Sequence, residues 1–269
     1  MTDNRPIGIF DSGIGGLTIA QAINQLLPKE SIVFFGDTTH LPYGDKSSQS
    51  VKHFSEKIFH YLKDKQSCKA IIIACNTASS AAYHHLFQKF GSELEVINVI
   101  DPVVAYCVKK LKAEQIGVIG TKGTIRSRAY PRKINTLNSE IKVNSASTPL
   151  LAPMIEEGFY NNNISRTIII TYLSKPQLQK IDTLILACTH YPLIKNEIQE
   201  FYTDNVKVVD STDVIADYTK HILEQNELLS NPNAQNMAHK FYVSDFTDSF
   251  QATAKMFFHD SIKLEAVNI

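Results

Sequence analysis

Short runs of Ile, Val, Leu and Phe, separated by longer amphipathic stretches, limit this 269-residue chain to few architectures. The runs fall at 7–10, 32–35, 70–74, 96–100, 116–119, 141–143, 183–187, 206–209 and 241–243. Most are near-continuous rather than alternating, the pattern of strands covered on both faces. Helical spacing marks segments between them, among them 16–27, 50–63, 77–90 and 213–224. Strand and helix in alternation along the whole chain predict an α/β fold with mainly parallel sheets.

The sequence also echoes itself. Ile7-Gly8-Ile9-Phe10 resembles Ile116-Gly117-Val118-Ile119, and Ile71-Ile72-Ile73-Ala74-Cys75-Asn76-Thr77 resembles Leu184-Ile185-Leu186-Ala187-Cys188-Thr189-His190. The segments ending in Asp101 and Asp210 form a third pair, and all three pairs lie about 110 residues apart. Common order and spacing predict two pseudo-symmetric α/β domains with the active site in the cleft between them. The expected division is 1–100 plus 211–269 for the first and 101–210 for the second. The polar stretch 226–239, with Asn231-Pro232-Asn233, reads as a connecting loop.

Composition narrows the function classes. Lys plus Arg and Asp plus Glu both number 27, so the basic surface of a nucleic-acid binder is not expected. Four scattered cysteines without a CxxC pair argue against a disulfide framework, a zinc ribbon or a thioredoxin-type site. No apolar run approaches the ~18 residues of a membrane span, and the first residues lack a signal-peptide layout. A soluble, cytoplasmic protein with reduced thiols is expected.

Ligands of open α/β sheets bind outside the carboxyl ends of the strands. The segments there are Asp11-Ser12-Gly13-Ile14-Gly15-Gly16, Gly36-Asp37-Thr38-Thr39-His40-Leu41-Pro42-Tyr43-Gly44, Cys75-Asn76-Thr77, Gly120-Thr121-Lys122-Gly123-Thr124 and Cys188-Thr189-His190-Tyr191-Pro192. The first is neither a Rossmann fingerprint nor a P-loop, although its N–H groups at a helix start suit an anion. Asp11 ends an apolar strand, so its carboxylate needs a cation, a donor or water. Cys68 and Cys107 read as small core residues. Cys75 and Cys188 differ, because they hold equivalent places in the two halves, each before a helix start that would lower a thiol pKa. Two thiols across one cleft suit inversion of a carbon bearing a C–H bond: a base on one face, an acid on the other, roles exchanged in reverse.

Together these motifs resemble the cofactor-independent aspartate/glutamate racemase family, its glutamate racemases in particular. The resemblance runs from about residue 7 to 215 and implies interconversion of L- and D-glutamate without cofactor or metal. It further implies supply of D-glutamate for peptidoglycan synthesis, a homodimer and, in some relatives, activation by a cell-wall precursor. By similarity Cys75 exchanges a proton with D-glutamate, assisted by Asp11, and Cys188 with L-glutamate, assisted by His190. Glu156 matches a further family carboxylate. Asp11, Ser12, Tyr43, Gly44, Asn76, Thr77, Thr121, Thr189 and His190 are the implied substrate-binding residues.

Aspartate-specific relatives generally resemble Cys-Thr-Glu at the second cysteine, so Thr189-His190 favours glutamate. A single-thiol hydrolase using Cys188 and His190 would retain most activity without Cys75. A two-lobed carboxylate-binding module would bind without chemistry.

Overall fold

The computed structural model describes residues 2–203, 205–233, 238–258 and 262–269. Its strands are β1 (Ile7–Asp11), β2 (Ile32–Gly36), β3 (Ala70–Ile73), β4 (Glu95–Asn98) and β5 (Gln115–Gly120). They continue with β6 (Lys142–Ser147), β7 (Thr183–Ala187), β8 (Lys207–Val209), β9 (Lys240–Val243) and β10 (Leu264–Ala266). A six-stranded sheet has the order β10-β9-β2-β1-β3-β4, and a four-stranded sheet the order β6-β5-β7-β8. Every pairing is parallel. The mixed α/β class with two mainly parallel sheets is therefore the one the apolar runs predict.

The internal echo has a topological counterpart. β1 lies between β2 and β3, with β4 beyond; β5 lies between β6 and β7, with β8 beyond. The echoing pairs β1 and β5, β3 and β7, and β4 and β8 thus hold matching places in the two sheets. After β8 the chain passes through the helix Thr212–Gln225 and adds β9 to the free edge of β2. Residues 234–237 of the expected connection 226–239 lie outside the described residues.

Near-continuous apolar strands bury side chains on both faces, and the burial here alternates accordingly. Ile7, Ile9, Ile72, Ile116, Val118 and Ile185 face a central core shared by the two sheets. Phe10, Phe35, Ile71 and Ile73 face an outer core of the first sheet, and Ile119, Leu184 and Leu186 an outer core of the second. Cys68 and Cys107 are buried in these cores, as expected of small apolar-like residues. Because all pairings are parallel, the carboxyl ends of β1, β2 and β3 lie along one edge of their sheet. Those of β5 and β7 do so in the other.

Candidate active site

Those two edges meet at a cavity of about 40 Å3. The first sheet supplies Ser12, Tyr43, Gly44, Cys75, Asn76 and Thr77. The second supplies Thr121, Glu156, Cys188, Thr189 and His190. Both sulfurs line this one space, and both cysteines are free thiols. Of the implied catalytic and substrate-binding residues, only Asp11 stands behind the wall rather than on it.

Cys75 caps the helix Asn76–Phe90: its sulfur accepts from the Ala78 N–H at 3.5 Å and donates to Ser12 Oγ at 3.5 Å. The sequence expectation was a lowered thiol pKa; the structure reverses it for this residue. Burial, reinforced by the nearby Asp11 carboxylate, pushes the Cys75 thiol up to about 12, against the Ser12 and Ala78 hydrogen bonds. Removal from water disfavours a thiolate more than one helix start favours it.

The second cysteine has different company. His190 Nδ1 lies 3.7 Å from Cys188 Sγ, and Nε2 lies 3.0 Å from Glu156 Oε1, a charge contact outside hydrogen-bond direction. Burial opposes a charge on His190, but the Cys188 sulfur and the Glu156 carboxylate outweigh it and hold the imidazole pKa well above its usual value. The matching strand ends therefore carry unlike environments, a buried neutral thiol on one side and a sulfur beside an imidazolium on the other.

Asp11 is fully buried. Its carboxylate accepts from the Gly16 N–H at 2.9 Å and from the Thr189 hydroxyl at 3.3 Å. Burial pushes the carboxyl pKa up, against the pull of His190 and of these donors. The Gly-rich loop expected to suit an anion thus gives the N–H of Gly16 to the chain's own Asp11. Gly15 has a separate role, because the His190 ring and the Thr189 hydroxyl press on the space a Cβ would occupy.

Hydroxyls tie the two sheets' loops together. Thr77 Oγ1 lies 2.8 Å from Thr121 Oγ1, and Thr121 caps the helix Lys122–Ser127. Tyr43 donates to Asp37 Oδ2 at 2.6 Å. Asp37 also holds His40 Nδ1 at 2.8 Å and Ser244 Oγ at 2.9 Å. Sequence reasoning missed this use of Asp37, although its signal, a carboxylate just past an apolar strand, was the one that marked Asp11. Among the described residues no group of three His, Cys, Asp or Glu side chains converges as a metal site.

Paired thiols at the cleft of two like parallel sheets, with an imidazole beside one of them, suit a class of enzyme that moves protons at a carbon centre. The Asp/Glu/Hydantoin racemase family model matches residues 7–219. Glutamate racemase 3 of Caldanaerobacter subterraneus subsp. tengcongensis is 38% identical over 98% of this chain and 94% of its own. Glutamate racemase of Geobacter metallireducens is 40% identical over 91% and 90%. The crystal structure of Francisella tularensis glutamate racemase in complex with D-glutamate superposes with a TM-score of 0.91. It is 39% identical and covers 99% of this chain and 98% of that one. The chain belongs to the Asp/Glu racemase family and is an amino-acid racemase, an isomerase.

Proposed function

We propose that the protein interconverts L- and D-glutamate by a two-thiol, two-base proton transfer. The observation that carries this reading is that Cys75 and Cys188, from matching strand ends of separate sheets, line one cavity. Cys188, as the thiolate beside a cationic His190, removes the α-proton of L-glutamate. The electron pair of that C–H bond stays on the α-carbon, and Cys75 delivers its proton to the opposite face, giving D-glutamate. Cys188 ends as thiol and Cys75 as thiolate, the state from which the reverse reaction starts. The high pKa of the Cys75 thiol supports its starting role as acid.

The α-proton is weakly acidic, so the developing carbanion needs preorganised donors in a water-poor site. Ser12, Asn76, Thr77, Thr121 and Thr189 surround the cavity with such groups. Asp11 assists Cys75 from behind the wall, while Glu156 holds the His190 that assists Cys188. A space of about 40 Å3 has room for only a few waters, so the two halves part to admit an amino acid and close over it. In this reading the sheets core two domains, 1–100 plus 211–269 and 101–210. Relatives named as glutamate racemases, and D-glutamate in one of their structures, support the substrate. The same reading gives D-glutamate for peptidoglycan, a cytoplasmic location and a homodimer.

Racemisation of glutamate and aspartate is compared, and the glutamate reaction is repeated in deuterated water. Glutamate turns over faster, the product carries α-deuterium, and Cys75→Ser and Cys188→Ser each abolish turnover. Faster aspartate turnover sinks the substrate assignment. Product without α-deuterium, or a Cys75→Ala variant retaining most activity, sinks the mechanism.

A further inference from the structure

We propose that Tyr130 is a positioning residue, whose hydroxyl fixes the Asn76 carboxamide with its NH2 group turned into the cavity for a substrate carboxylate. The proposal rests on the racemase reading and names how one of its donors is set. Asn76 opens the helix Asn76–Phe90 in the first half of the chain; Tyr130 lies on the helix Ala129–Leu137 in the second. Both are almost wholly buried, at 2% exposure each. The Tyr130 hydroxyl donates to Asn76 Oδ1 at 2.6 Å. Among the described residues Asn76 Nδ2 meets no acceptor.

A carboxamide has its oxygen and its NH2 on opposite arms. Tying the oxygen to Tyr130 leaves Nδ2 as the arm available to the cavity that Asn76 lines. The opposite orientation is disfavoured twice over. It would set NH2 against the phenol and leave the Tyr130 proton without an acceptor, since this hydroxyl has no other hydrogen bond among the described residues. It would also turn a carbonyl oxygen toward an incoming carboxylate. A buried donor without a partner is costly, and a carboxylate entering the cavity removes that cost. Because the bond crosses from one half of the chain to the other, the amide is set only when the halves are closed.

Steady-state kinetics of Tyr130→Phe, which keeps the ring and removes the hydroxyl, test the assignment. KM for glutamate rises about tenfold, the size of one hydrogen bond's net effect, while kcat changes less and the melting temperature falls by only several degrees, the cost of one buried acceptor left unpaired. In an Asn76→Ala background the same substitution has no further effect. An unchanged KM in Tyr130→Phe, or an equal loss in both backgrounds, overturns the proposal. If Tyr130→Phe does not fold, Asn76→Asp puts the question separately, because it keeps an oxygen for the tyrosine and removes the NH2. That variant folds with a raised KM; an unchanged KM overturns the proposal. The two readings fail differently. Absence of α-deuterium in the unaltered protein's product sinks the racemase reading, whereas normal exchange with an unaltered Tyr130→Phe KM sinks only the role of the tyrosine.

Discussion

Adding one methyl group at Gly15 separates catalytic geometry from folding. A Cβ there would lie 2.7 Å from both His190 Cε1 and Thr189 Oγ1, and 2.8 Å from His190 Nδ1. Apolar contacts are optimal at roughly 3.5 Å, so the imidazole has to retreat by about 0.8 Å. It cannot do so freely. Cys188 Sγ stands 3.7 Å away on one side and Glu156 Oε1 3.0 Å on the other. Nor does Thr189 have slack, because its 3.3 Å bond to Asp11 is already long. Displacing a catalytic group by nearly 1 Å costs on the order of 10²-fold in rate. Gly15→Ala is therefore expected to lower kcat by about that factor. The backbone at Gly15 lies outside the left-handed region, so alanine brings no strain of its own and the melting temperature changes little. Polarimetric initial rates and a thermal melt make the measurement. A near-normal kcat would refute the claim that His190 placement limits turnover, and a collapse of stability would refute the claim that the collision is local to the site.

Two further expectations concern pH and stability. Burial, with Asp11 beside it, pushes the Cys75 thiol up to about 12 from its ordinary 9.0, so its protonated thiol stabilises the fold fully below pH 9. That contribution is lost as pH rises toward 12. Denaturant unfolding at a series of alkaline pH values should show a shallower fall for Cys75→Ala than for the unaltered protein, and parallel curves would count against the assignment. Lys69 and Glu30 form a buried ion pair at 2.6 Å, at 0% and 2% side-chain exposure, with Ser230 and the Asp3 carbonyl completing the network. Lys69→Met strands the carboxylate and should cost about 3–5 kcal/mol in urea unfolding. The double variant Lys69→Met/Glu30→Met should recover most of that loss, and no recovery would refute the reasoning.

The apolar runs were legible because strands buried on both faces leave continuous Ile and Val in the sequence, as at 70–74 and 183–187. Two edge strands, β6 and β10, left a weaker trace. β6 extends from Lys142 through Asn144, Ser145 and Ser147, so only its beginning, 141–143, was marked. β10 was missed, because Leu264 is its one buried residue and Glu265 and Ala266 face solvent. Tyr130 carried no signal either, since a tyrosine on an amphipathic helix looks like any core aromatic until its hydroxyl is seen on Asn76.

Sequence by itself determined the class of fold, the doubled plan and the two cysteines, because apolar periodicity and motif order are properties of the chain. Tertiary structure alone decided how the equivalent thiols differ. Cys75 lies beside the buried Asp11 and is held neutral, while Cys188 lies beside a His190 that Glu156 keeps charged. Desolvation and charge contacts set those states, Asp11 with Cys75 in one half and Cys188 and Glu156 with His190 in the other, and neither exists until each half has folded and buried them.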